Sequence, residues 1–129
     1  MFAISEGDRI TSALVMMALN AASLRHQAIA NNLANVHSEN YRPQRLNFEE
    51  QLSALRHAVA MGSPIAPAAL EQVRPFIQAD AAGATAGLAE TIDMEMVKLS
   101  QNAVNYQTLL KALDKLGGIV SVAVSEGRR

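Results

Sequence analysis

From Asp8 onward, Ile10, Leu14, Met17, Ala21, Leu24 and Ala28 recur at alternating steps of four and three, and Asn31 and Asn35 continue the line. A second line runs beside it through Val15, Leu19, Ala22, His26, Ile29, Leu33 and Val36. This heptad spacing predicts an amphipathic helix from Asp8 to about Val36, with Ser5 or Asp8 as its N-cap. Such a helix is about 40 Å long at the usual rise per residue. Two adjacent stripes make a face wider than a two-stranded seam, so the helix needs partners on more than one side.

The same arithmetic returns near the other end. Ile92, Met96, Leu99, Ala103, Tyr106, Leu110, Leu113, Gly117, Val120 and Val124 form an unbroken heptad series. Thr91 is the expected cap, and Glu90, Asp93 and Glu95 place negative charge toward the positive end of the helix dipole. Gly117 and Gly118 weaken the last turns, so a bend or fraying is expected there. Two long helices with heptad seams, one at each end of the chain, predict that the termini pair with each other.

Between them the pattern dissolves. Residues 53–89 carry Pro64, Pro67 and Pro75 with Gly62, Gly83 and Gly87 in an Ala-rich background. Short helical turns at 52–61 and 68–73 are too brief to nucleate alone. The predicted fold is therefore all-α: long N- and C-terminal helices paired as a coiled-coil-like hairpin, joined by a loosely structured connector. The expected divisions are 1–52 for the first helix and the stretch after it, 53–89 for the connector and 90–129 for the second helix. Both termini build one discontinuous domain.

Composition narrows this further. The 129 residues carry a formal charge of −1, so no global field draws the chain to nucleic acid or acidic lipid. Half of them are apolar but only 4% are aromatic, a helix-forming vocabulary of Ala, Leu, Val and Met. There is no cysteine, which removes disulfides and thiolate metal sites. No apolar run approaches the ~20 residues of a membrane span. The run 13–19 reads as part of the helix rather than as a cleaved signal, because Glu6 and Asp8 spoil the basic start and the helical pattern continues past Ala22.

Chemistry-bearing constellations are missing. His26, His37 and His57 are dispersed, without ligand spacing, and His26 reads as a partly buried structural residue. Glu49 and Glu50 are splayed by helix geometry. There is no phosphate loop and no nucleophile–base arrangement, and Arg42 with Arg45 is too small a basic spot for nucleic acid. The pattern predicts no enzyme, no cofactor, no metal and no small-molecule substrate.

What stands out is polarity inside the helices. Asn is a poor helix former because its amide competes for backbone partners, yet Asn31, Asn32 and Asn35 fall within five residues. If Asn31 and Asn35 are buried on the first stripe, their amides need partners across an interface and set register, as a buried Asn does in coiled coils. The alternative is that they fray the helix end. Asn102 and Tyr106 lie four apart on the second helix. Either the Tyr106 hydroxyl seeks a partner such as an Asn amide, or Tyr106 is ordinary filler with Asn102 in solvent.

The segment Gln27-Ala28-Ile29-Ala30-Asn31-Asn32-Leu33-Ala34-Asn35 resembles the N-terminal signature of the flagellar rod, hook and hook-associated axial proteins. In that family a Thr-Pro-Gly-Tyr-Lys-like turn follows. Here Ser38, Glu39 and Asn40 replace its first three residues, while Tyr41 and Arg42 keep the aromatic and basic positions. Phe48 and Leu52 are similar to the family's Phe-x-x-x-Leu stretch, and Glu95, Asn102, Tyr106 and Gln107 to its terminal helix. The shortness of the chain resembles the proximal rod subunits, of which there are two types.

The resemblance implies a structural subunit of the basal-body rod, which polymerises through its terminal helices into a torque-transmitting shaft in the periplasm. It implies export without a cleaved signal by the flagellar type III apparatus. The implied partners are other copies, other rod proteins, the membrane (MS) ring and rod-adaptor proteins. The expected assembly interface comprises Leu14, Gln27, Ile29, Asn31, Asn32, Leu33, Asn35, Tyr41 and Phe48, with Glu95, Leu99, Asn102, Tyr106, Leu110 and Leu113. The competing reading from pattern alone is a helical adaptor or export chaperone that binds another protein's amphipathic helix.

Overall fold

A computed structural model describes residues 6–62, 67–80 and 88–127. Four helices and two strands follow in the order α1 (Glu6–Ala34), β1 (Gln44–Asn47), α2 (Glu49–Ala60), α3 (Pro67–Glu71), β2 (Phe76–Ala79) and α4 (Leu88–Gly127). The protein is mostly helical and its two long terminal helices pack together, as the two heptad patterns predict. They run antiparallel, since Asn32 of α1 meets Glu95 of α4 while Ala22, ten residues earlier, meets Asn102, seven residues later.

The ends differ in detail from expectation. Asp8 lies inside α1 and is not its cap, and Ser5 lies outside the described residues. Thr91 lies within the first turns of α4, which begins at Leu88. No break occurs at Gly117, because the i→i−4 ladder of the 40-residue helix carries across the paired glycines. The side chains of Val120 and Val124 lie outside the described set.

The connector is more ordered than its composition suggests. The expected turn at 52–61 is the 12-residue α2, whose first turn carries Glu49 and Glu50 and whose last carries His57, matching the helix dipole at both ends. Gly62, at φ +90°, takes the left-handed conformation just past its end. β1 and β2 pair antiparallel, with Leu46 opposite Ile77. Gln51 fastens α2 to the approach to β2: its amide donates to the Arg74 carbonyl and accepts from the Arg74 N–H, both at 3.0 Å.

These elements close the apolar core. Ala21 of α1, Leu46, Phe48 and Val73 are buried together, and Met17, Leu24, Leu52, Leu55 and Ile77 pack against them. The small side chain of Ala21 lets the ribbon approach the helix. No described side chain of α4 belongs to this cluster. Where α4 is most deeply buried it presents Glu95 and Asn102, both polar. Its half-buried apolar residues, Ile92, Leu99, Leu109, Leu113 and Leu116, extend the seam around them.

Candidate assembly site

The phase of each helix decides which side chains meet. On α1 the buried positions are Leu19, Ala21, Ala22, Ala28, Ile29 and Asn32. Asn32 is four residues from Ala28 and three from Ile29, so it lies between the two predicted stripes and on neither. It is the asparagine that enters the interface. Asn31 is exposed and its amide donates to the Gln44 side chain at 3.2 Å. Asn35 turns back along its own helix, donating to the Asn31 carbonyl at 2.8 Å. The expectation that Asn31 and Asn35 are the buried pair is thereby corrected: around the helix from Asn32, which points at α4, Asn31 is turned by about 100° and Asn35 by about 60°.

The Asn32 amide uses its whole hydrogen-bonding capacity. Its Oδ1 accepts from the Gln44 backbone N–H at 2.7 Å and from the Tyr41 hydroxyl at 2.9 Å. Its Nδ2 donates to the Gln44 carbonyl at 2.9 Å and to Glu95 Oε2 at 3.3 Å. Two acceptor and two donor sites are all that a carboxamide has. An Asp lacks the donors and a Leu lacks everything. The side chain thus ties the end of α1, the following turn, the start of β1 and the first third of α4 into one node.

Glu95 is 5% exposed, and its other oxygen takes an ion pair from Lys98 at 3.1 Å, one turn along α4. Burying a carboxylate is costly unless it is paired and hydrogen-bonded, and here both conditions hold. Burial, and then the nearby Glu95 charge, push the Tyr41 phenol above its ordinary value, so it stays protonated as a donor to Asn32. One helical stretch away, Asn102 donates to the Ala22 carbonyl at 2.8 Å. Its Oδ1 is buried without a partner.

The other expected interface residues divide into three groups. Ile29 and Phe48 are buried within the chain, Phe48 in the connector core. Leu14, Leu33, Leu99 and Leu113 are half-buried. Gln27, Tyr106 and Leu110 face solvent, the last two 39% and 40% exposed. Tyr106 does not supply the hydroxyl that reaches an asparagine; Tyr41 does. His26 is exposed rather than partly buried, as are His37 and His57.

The predicted α4 stripe is therefore split. The buried line runs through Glu95, Asn102, Leu109 and Leu116, one position short of Met96, Ala103, Leu110 and Gly117. The contacts of Glu95 and Asn102 set the rotation of α4 so that Met96, Val97 and Val104 turn away from the buried line and are 49–65% exposed, while Tyr106 and Leu110, nearer that line, are still 39% and 40% exposed. Sequence reasoning missed Gln44, whose peptide holds Asn32, and Lys98, whose place one turn from Glu95 was the available signal. Among the described residues no cluster of metal-ligating side chains occurs, and no helix is long and apolar enough to cross a membrane.

The flagellar basal body rod protein FlgB of Bacillus subtilis is 26% identical over 102 residues, covering 75% of this chain and 79% of that protein. The chain is similar to this rod protein. No family model and no solved structure matches the chain. The FlgB likeness agrees with the resemblance carried by residues 27–35, and the node at Asn32 gives that segment a physical task.

Proposed function

We propose that this protein is a structural subunit of the bacterial flagellar basal body, polymerising into the proximal rod through its two terminal helices. The similarity to a basal-body rod protein supports the rod role and the basal-body location. The observation that carries the polymerising mechanism is the uncovered apolar surface of α4: Met96, Val97 and Val104, with the partly exposed Tyr106 and Leu110 beside them. A side of that kind on a helix already paired along its neighbouring face suits packing against further copies. Because a helical polymer uses heterologous contacts, each subunit presents this side to a different surface of the next. Residues 1–52 and 90–129 form the assembling unit, and 53–89 is the connector between them. The subunit is exported without a cleaved signal by the type III apparatus and joins other rod proteins above the membrane ring. It is not an enzyme; its task is to carry load through packed helices.

The test is complementation of a flagellated bacterium lacking its own rod subunit of this type. The parent chain should restore motility and appear in isolated basal bodies. Leu110→Asp should be exported yet absent from them, with helicity of the purified chain unchanged. Recovery of the Leu110→Asp chain in basal bodies at parental levels would refute assembly through this side.

A further inference from the structure

The outer edge of β1 is only half occupied. Asp80 N–H donates to the Pro43 carbonyl at 2.7 Å, and the register pairs Gln44 with Ala79, so Pro43, Arg45 and Asn47 turn their peptide groups toward β2. Peptide groups alternate along an antiparallel pair, so those of Gln44 and Leu46 point the other way. The outward groups of Gln44 are taken by Asn32, whose amide accepts its N–H and donates to its C=O as a neighbouring strand would. Leu46 lies two residues farther along, about 6.6 Å. Its outward N–H and C=O have no such partner among the described residues.

That edge borders an open cleft of about 460 Å³ between α1, β1 and α4, with Ile29 and Leu46 on the floor and Gln101 and Asn105 at its α4 rim. Asn102, 6% exposed and with an unpartnered Oδ1, lines the same cleft. The cations around it are already neutralised: Arg25 pairs with Glu49, Arg45 with Glu50 and Lys98 with Glu95. What is left over is one peptide donor, one peptide acceptor and one amide acceptor, over an apolar floor and without net charge. Those are the requirements of an extended backbone, and charged side chains gain nothing there. We infer that the outer edge of β1 is a docking site for an extended, uncharged segment of a partner polypeptide, added as a short third strand opposite Leu46. Asn32 acts as the end-stop that sets where this strand begins. The inference does not depend on polymerisation through α4.

The experiment follows amide exchange in the full-length ¹⁵N-labelled chain, with acetyl-Val-Ala-Val-amide as the probe. In the free chain the Leu46 amide should exchange at least about tenfold faster than those of Arg45 and Asn47, which bond within the ribbon. Saturating probe should remove that difference, whereas a probe N-methylated at its central residue should not. Asn105→Trp, an exposed substitution that fills the rim, should abolish the effect while leaving the circular dichroism spectrum unchanged. The inference is overturned if Leu46 is already protected in the free chain, if the methylated probe protects equally, or if Asn105→Trp binds like the parent. Protection of Leu46 that rises with protein concentration and no probe overturns the assigned occupant, because a second copy then fills the edge.

Discussion

Replacing Asn32 by Leu is the sharpest perturbation of the node. The two side chains have the same number of heavy atoms and the same branching, so Leu is the closest apolar replacement and the main loss is polar. Four hydrogen bonds disappear, to both peptide groups of Gln44, to Tyr41 and to Glu95. Leaving a buried donor or acceptor unmade costs about 1–3 kcal/mol. Tyr41 and Gln44 are only half-buried, so water recovers part of that cost. Burying Leu in place of the amide returns about 1.5 kcal/mol. The net expectation is a destabilisation of about 2–3 kcal/mol, or a fall of roughly 8–12 °C in Tm for a chain of this size. Asn31→Leu is the matched control, since it removes one exposed 3.2 Å contact and should cost under about 0.5 kcal/mol. Urea and thermal unfolding followed by circular dichroism measure both. The reasoning fails if Asn32→Leu unfolds within 0.5 kcal/mol of the parent on that scale, or if Asn31→Leu is equally damaging.

Other consequences are as direct. Asn32→Asp should be destabilised at neutral pH, because the new carboxylate faces Glu95, and a urea series should show the deficit shrinking as pH falls and the repulsion is titrated away. Burial raises the Tyr41 phenol in the folded state, so its contribution to stability is intact below about pH 10 and declines as pH rises through the folded value. Tyr41→Phe should lose that part of the alkaline decline in urea midpoint while keeping the rest. Phe48→Ala should cost about 3 kcal/mol and release the β-ribbon, seen as faster amide exchange at residues 44–47 and 76–79, with α4 retaining its helicity. Gly117→Ala should stabilise α4 by about 0.5–1 kcal/mol, because nothing lies within 4 Å of the added methyl group; a lower Tm would show that the glycine is needed for close packing.

Much of the architecture follows from local pattern. Heptad spacing around Leu19, Ala22 and Ile29, and again around Leu99 and Leu113, requires two long amphipathic helices whatever else the chain does, because period and length set the apolar face. The asparagines at 31–35 were legible as a conflict: a helix does not keep three such residues without partners for them.

Which asparagine turns inward was not legible. Asn31, Asn32 and Asn35 differ only in rotation about one axis, and that rotation is set by Gln44 and Glu95, 12 and 63 residues away. The connector hid its order for a related reason. Strands of four residues and a 12-residue helix have no strong local signal, and they hold because Leu46, Phe48 and Val73 find Ala21. The heptad series of α4 was read from its apolar residues, yet its buried line carries Glu95 and Asn102, so the phase was off by one position. Period and helix length are properties of neighbouring residues, and the sequence alone determined them. The rotation of each helix, and with it the division between the latched side of α4 and its open side, depends on contacts between distant residues. That was decided by the tertiary structure.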